Sequence, residues 1–379
     1  AVIDWLSVEI DVSRIGKEGY PFYMEKEIME QPEVIGETIF PRIKEGKPDF
    51  SEERIPDEIL SACQRICVIA CGTAMHAGLV GKSLIQAIIG IHVDVVMASE
   101  FMYNDPVVDK DTLVIAISQS GETIDTLEAL KFARKCGSPC ISIVNVKGAS
   151  IARASEYVIY TNAGPEIAVA STKAYTTQLA VLYLLTARMA IARKLWSEQE
   201  LAGYMCELQR VPAVLKQVLE TKEEIHRLAG SILNASDVFM IGRGLDYSIL
   251  LEGSLKLKEV SYIHSEAYAS GELKHGTIAL ITEDTPVIAV VTQEKLKSKE
   301  LSNIREVQSR GARVVLLIKE GETLDGGEQW SCVYRLPKMD DFFMVMPASI
   351  VLQLIAYFVS LDKGLDVDKP RNLAKVVTV

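Results

Sequence analysis

Apolar residues along the chain fall into two kinds of run. Short continuous ones cover residues 66–71, 112–117 and 139–145, and recur at 237–242, 286–291 and 313–318. Such runs, bounded by turn residues, predict strands buried on both faces. Between them lie longer segments with helical spacing, at 74–90, 122–136, 172–194, 246–263 and 294–310. Residues 197–233 are helix-rich as well, with a junction expected near Pro212. Residues 1–47 are polar and mixed apart from a helical stretch at Tyr23-Met-Glu-Lys-Glu-Ile-Met29, and read as a lead-in.

The alternation occurs twice. Arg65-Ile-Cys-Val-Ile-Ala-Cys-Gly-Thr73 and Ser236-Asp-Val-Phe-Met-Ile-Gly-Arg-Gly244 each place a strand before a glycine turn and a helix. Asp111-Thr-Leu-Val-Ile-Ala-Ile117 pairs with Asp284-Thr-Pro-Val-Ile-Ala-Val290, and Lys135–Ile143 with Ser309–Leu317. Two copies of one α/β unit follow, each a mostly parallel sheet covered by helices. The expected division is a lead-in at 1–47, a first unit at 48–196, a second at 197–363 and a tail at 364–379. Ligands in such sheets sit at the carboxyl ends of strands.

One feature is not duplicated. The first copy has Ser118-Gln-Ser-Gly-Glu-Thr123 after its second apolar strand, where the second copy reads Val290-Val-Thr-Gln-Glu-Lys295. A turn that served structure alone would suit both copies, so the asymmetry favours a ligand. A helix amino terminus offers free N–H groups, Gly121 lets backbone approach, and Ser118, Gln119, Ser120 and Thr123 add neutral donors. No lysine follows as in a nucleotide P-loop, which leaves a phosphate monoester or, in the structural alternative, a serine N-cap.

Composition narrows the setting. The 379 residues exceed a usual single core, and 49% are apolar against 24% charged, as in a soluble two-domain protein. The formal net charge of −11 argues against nucleic acid and anionic membranes as partners. Residues 344–361 carry no charge, but Pro347, Ser349, Gln353 and Ser360 interrupt them, and a buried core helix is expected rather than a membrane span. Seven dispersed cysteines read as reduced thiols in the cytoplasm. Neither they nor the five histidines show ligand spacing, so no metal is expected.

Four further stretches carry candidate chemistry. Cys71-Gly72-Thr73 ends the first strand, where a second wall of the phosphate pocket would lie, although a glycine there also serves a plain tight turn. Glu252, Lys256 and Glu259 share one helix face, either as a solvated stripe or as a partly buried acid–base set. His275 lies in the glycine-bracketed Gly271-Glu-Leu-Lys-His-Gly276, and histidine is a residue type suited to acid–base proton transfer. His76, His92, His226 and His264 read as ordinary helix or strand-edge residues. Lys375 lies in an aperiodic tail that is not of low complexity, which suggests docking, and its amine could form a Schiff base with a ketone.

Together these motifs resemble the isomerase half of the glucosamine-6-phosphate synthase family, the isomerizing glutamine–fructose-6-phosphate aminotransferases. The resemblance rests on C-G-T, S-Q-S-G-E-T, Val169-Ala-Ser-Thr-Lys-Ala-Tyr175, E-G-S-L-K-L-K-E-V-S-Y-I-H, G-E-L-K-H-G and K-P-R-N-L-A-K. It implies an α/β fold of two tandem sugar-isomerase domains, flavodoxin-like and three-layered, and a homodimer without cofactor. It implies fructose-6-phosphate and ammonia as substrates and glucosamine-6-phosphate as product.

Residue by residue, it implies that Ser118, Gln119, Ser120 and Thr123 bind phosphate and that Cys71, Gly72, Thr73, Val169 and Ser171 line the sugar. Glu259 would move a proton between C1 and C2, supported by Glu252 and Lys256. His275, donated by the neighbouring subunit, would open the ring, and Lys375 would form the imine. The family's glutaminase half does not occur in these residues, so the chain is read as a fragment that does not itself use glutamine. Ala74 replaces a serine common in the family, which removes one side-chain sugar contact. The chain ends at Val379 where the family continues with a glutamate, and weaker tail docking is expected. A ketose-amine deaminase, an isomerase without amination and a phosphosugar sensor are the competing readings.

Overall fold

The computed structural model describes residues 16–324, 330 and 332–375. Helices α1 (Tyr23–Met29) and α2 (Gln31–Ile39) open it, followed by a hairpin of β1 (Ile43–Lys44) and β2 (Lys47–Pro48) and by α3 (Asp57–Ala62). The first sheet comprises β3 (Arg65–Ala70), β4 (His92–Met97), β5 (Thr112–Ser118), β6 (Cys140–Val144) and β7 (Tyr157–Tyr160). Its helices are α4 (Gly72–Ile89), α5 (Ala98–Phe101), α6 (Ile124–Lys135), α7 (Ser150–Ala154) and α8 (Lys173–Ala192). After α9 (Glu198–Glu220) and α10 (Lys222–Gly230), the second sheet is built from β8 (Asp237–Gly242), β9 (His264–Ala269), β10 (Pro286–Val291), β11 (Arg313–Lys319) and β12 (Cys332–Leu336). Helices α11 (Leu245–Ser261), α12 (Lys297–Gln308) and α13 (Val345–Asp362) complete it.

The strand orders are β4-β3-β5-β6-β7 and β9-β8-β10-β11-β12, and every neighbouring pair in both is parallel. Numbered within each copy, both read 2-1-3-4-5, the doubly wound order whose switch point lies between the first and third strands. The two copies are therefore the same fold, as the repeated pattern predicts. Apolar runs located the inner strands; β4, β7, β9 and β12 carry polar residues such as His92, Asp94, His264, Glu266 and Arg335 and escaped that signal. All four lie at sheet edges, where one flank needs no apolar cover.

A continuous apolar core lies between the sheets and includes residues of α4, α8, α11 and α13. Smaller clusters cover the outer face of each sheet. Helix α13 is buried along nearly its whole length, from Val345 to Ser360, as expected of a core helix. The lead-in joins the same core through Met24, Ile28, Ile35 and Ile39, all fully buried.

The junction expected at Pro212 is corrected: α9 runs through that proline and the chain breaks at Thr221. A mid-helix proline costs about 3 kcal/mol. Leu201, Tyr204, Leu208, Val211, Leu215 and Val218 bury one stripe of the helix on both sides of the proline, at roughly 1.5–3 kcal/mol for each large apolar side chain, so packing prevails.

Candidate functional site

The switch point of the first sheet lies where β3 and β5 end. After β5 the chain turns sharply at Gly121, which has φ +66° and no room for a side chain, since a Cβ there would stand 2.5 Å from that of Ala149. The Ser118 hydroxyl accepts the Gly121 N–H at 3.0 Å and lies 3.2 Å from the Thr123 hydroxyl. Ser120 accepts the Glu122 N–H at 3.2 Å. The N-cap position of α6 belongs to Thr123, whose side chain makes no capping bond. The hydroxyls thus shape the turn while the helix end stays uncapped, which favours the anion reading over the N-cap reading.

A cavity opens on this turn. Ser118, Gln119, Ser120 and Thr123 line one side, and Cys71, Thr73 and Ala74 from the end of β3 line another. Val169, Ser171 and Lys375 close it, with Ile117 and Gln178 behind. Gly72 sits within the β3–α4 turn at φ +55°, a left-handed conformation that favours glycine. Lys375 is the only charged side chain among these lining residues. Neutral donors and one cation thus face the cavity in a chain whose overall charge is strongly negative.

The Glu–Lys–Glu stripe is not a solvated face. Lys256 is fully buried, 2.5 Å from Glu259 and 3.3 Å from Glu252. Burial works to lower its pKa, but the two carboxylates outweigh burial and hold the ammonium above its ordinary range. Glu252 accepts the Thr73 hydroxyl at 3.0 Å and contacts His76 Nδ1 at 2.7 Å, and Lys256 reaches Thr73 at 3.1 Å. The stripe on α11 is therefore wired to the cavity wall of the first unit through Thr73. Glu259 is half-buried and does not line the cavity itself.

The tail docks onto the other wall. Lys375 Nζ donates to Glu166 at 2.6 Å and to the Ala168 carbonyl at 2.8 Å. Glu166 is buried and also accepts the Ser171 hydroxyl and the Thr172 and Ala174 N–H groups at 2.8, 2.9 and 3.0 Å. Burial pushes its carboxyl up, yet Lys375 and these N–H groups pull it down to about 2. Val169 N–H donates to the Asp368 carbonyl at 3.0 Å, a second seam between the wall and the tail.

His275 is apart from this assembly. It is exposed at the end of the 3-10 segment Ser270–His275, which is anchored by buried Ser270 and Leu273 and braced on α12 by a 2.7 Å Lys274–Glu306 ion pair, and it does not line the cavity. Sequence reasoning passed over His76, Glu166 and Gln178. His76 reads as an ordinary helix residue, but it holds Glu252. Gln178 lines the cavity from α8 with its amide oxygen buried and unpartnered. Its one sequence signal is proximity to the Val169–Tyr175 motif. Among the described residues no group of three or more His, Cys, Asp or Glu side chains could hold a metal ion.

A SIS domain model matches residues 59–188 and again 231–360. Glutamine–fructose-6-phosphate aminotransferase [isomerizing] from Clostridium tetani is 50% identical over 364 residues, covering 96% of this chain and 60% of that relative. The enzyme of that name from Methanosarcina acetivorans is 42% identical, with 98% and 60% covered. The chain thus spans about 60% of the length of these curated relatives. A solved C-terminal domain of glucosamine-fructose-6-phosphate aminotransferase from Francisella tularensis is 39% identical, with TM-score 0.89 over 93% of this chain and all of that one.

Proposed function

The chain belongs to the SIS domain family, and from that premise we propose that it is the sugar-converting part of an isomerizing glutamine–fructose-6-phosphate aminotransferase. It takes fructose-6-phosphate and ammonia and yields glucosamine-6-phosphate. One observation carries this reading: Lys375 and the Ser118–Thr123 turn line the same cavity, whose wall at Thr73 is hydrogen-bonded to the Glu252–Lys256 pair. An aldose–ketose exchange needs an anchor, a carbonyl partner and a carboxylate, and these three groups supply them.

In this mechanism Ser118, Gln119, Ser120 and Thr123 bind the phosphate, and Cys71, Gly72, Thr73, Val169 and Ser171 follow the sugar. His275, supplied by the partner subunit of a homodimer, protonates the ring oxygen and opens the ring. The Lys375 amine adds to the C2 carbonyl, and water leaves as the imine forms. Ammonia then displaces the lysine, giving fructosimine-6-phosphate. Glu259 removes a proton from C1 and returns it to C2, while the C1 hydroxyl proton passes to the imine nitrogen, so that C1 becomes the aldehyde and C2 carries the amine. Lys256, held charged between Glu252 and Glu259, fixes the positions of both side chains through its ion pairs. By this reading a glutaminase portion of a longer protein supplies the ammonia, and the reaction belongs to the cytoplasm.

Borohydride reduction in the presence of fructose-6-phosphate tests the assignment. A covalent sugar adduct is expected at Lys375, and Lys375→Ala should abolish it. Efficient labelling of the Lys375→Ala variant would remove the imine step. Supplying ammonium should turn fructose-6-phosphate into glucosamine-6-phosphate; no turnover with or without ammonium would favour a sensor.

A further inference from the structure

The lead-in helix α1 sends one carboxylate toward the sugar wall. Glu27 is buried, and its Oε1 accepts the Ala168 N–H at 3.2 Å and the Ile167 N–H at 2.5 Å. The carbonyl of that same Ala168 accepts Lys375 at 2.8 Å, and the next residue, Val169, lines the cavity. The same helix start is tied to the tail, since Asp368 accepts the Tyr23 and Met24 N–H groups at 2.9 Å each. Lead-in, wall and tail therefore form one three-way clamp. Residues 16–39 lie outside both segments that the SIS domain model matches, so the clamp is an addition to the family's common fold.

We propose that Glu27 is a positioning residue of the sugar site: by gripping the Ile167 and Ala168 N–H groups it sets the wall that carries Val169 and Ser171 and that seats Lys375. The lead-in is then a working part of the site rather than a spacer. Two hydrogen bonds from adjacent N–H groups to one oxygen fix both the height and the tilt of that peptide. The second carboxyl oxygen has no hydrogen-bond partner. Burial, with Glu166 close by, pushes the Glu27 carboxyl up to about 8, against the pull of the two N–H groups and Lys375. A neutral acid in this place still offers Oε1 as acceptor, so the grip depends on the oxygen and its reach rather than on charge.

The inference rests on the imine role given to Lys375, and its test separates the two. Three variants are compared: Glu27→Ala removes the acceptor, Glu27→Asp withdraws it by one methylene, and Glu27→Gln keeps it without charge. Hydrogen exchange at Ile167 and Ala168, followed by mass spectrometry, should speed up in Glu27→Ala and Glu27→Asp and stay protected in Glu27→Gln. Borohydride trapping at saturating fructose-6-phosphate should slow by about tenfold in the first two variants and stay near wild type in Glu27→Gln. Unchanged exchange and trapping in a folded Glu27→Ala or Glu27→Asp overturn the proposal. So does a Glu27→Gln variant as impaired as Glu27→Ala, since charge would then be the requirement. A wild-type chain that is never trapped refutes the imine instead, and the exchange experiment still decides whether Glu27 holds the wall.

Discussion

At the end of β5 the turn Ser118–Thr123 faces an open cavity, whereas at the end of β10 the matching turn is filled by the chain itself. The two sheets share strand order and parallel register; Cys67 pairs with Val114 and Phe239 with the matching Val287, which sets Ala74 opposite Asp246, one residue along from the motif pairing of Arg65 with Ser236. Ala74 lines the first crevice with a methyl group. Asp246 enters the second, accepts the Thr292 N–H at 2.8 Å and also the Thr292 hydroxyl, and is fully enclosed. A carboxylate thus takes the position that an anionic ligand would take at a strand–helix turn. Together with the hydroxyl turn that only the first copy has, Asp246 at this aligned position distinguishes the plugged crevice from the open one.

The largest expected effect comes from moving the plug. Ala74→Asp should weaken phosphosugar binding by about a hundredfold or more, through repulsion and lost space, while leaving thermal unfolding cooperative. Titration with fructose-6-phosphate by calorimetry checks it, and near-normal affinity would mean that position 74 does not govern the crevice. A smaller loss is expected for Ser118→Ala, which removes one donor and the acceptor of the Gly121 N–H. Binding should weaken by about tenfold, roughly 1.4 kcal/mol, with little change in the inhibition by unphosphorylated sugar analogues.

The smallest effect concerns the plugged side. Burial raises the Asp246 carboxyl from 3.8 to about 7, the Thr292 contacts oppose this, and Glu300 adds to the rise. A folded-state pKa above the unfolded one means that folding favours the protonated form. Its contribution is complete below about pH 4 and is lost as pH rises through about 7. Relative to Asp246→Asn, the native chain should therefore lose a few degrees of melting temperature between pH 5 and pH 8. An equal difference at both pH values would show that Asp246 is no desolvated acid.

Legibility followed the same divide. Inner strands were plain because a strand buried on both faces must be apolar throughout, as in Val68–Ile69 and Ile115–Ile117. The turn at Ser118 was legible because its polar residues follow such a strand directly. The stripe Glu252, Lys256 and Glu259 was visible as a helix face, but not its partner Thr73, which belongs to the other unit. Glu166 and Glu27 gave no signal, since isolated acidic residues are usually solvated and only folding buries these two beside a docked tail. The polar edge strands were missed because period and apolarity both fade where one flank is open.

The sequence by itself determined the duplicated α/β pattern, the buried apolar helix at 344–361 and the hydroxyl turn that one copy keeps. These are local properties, written in the spacing of apolar residues and in the chemistry of neighbours. Only the tertiary structure decided that α11 wires its carboxylates to Thr73, that the tail seats Lys375 on Glu166, and that Asp246 plugs the second crevice. Each of these contacts joins residues far apart in the chain. Their energies depend on burial and distance, and neither exists until the two sheets share their core.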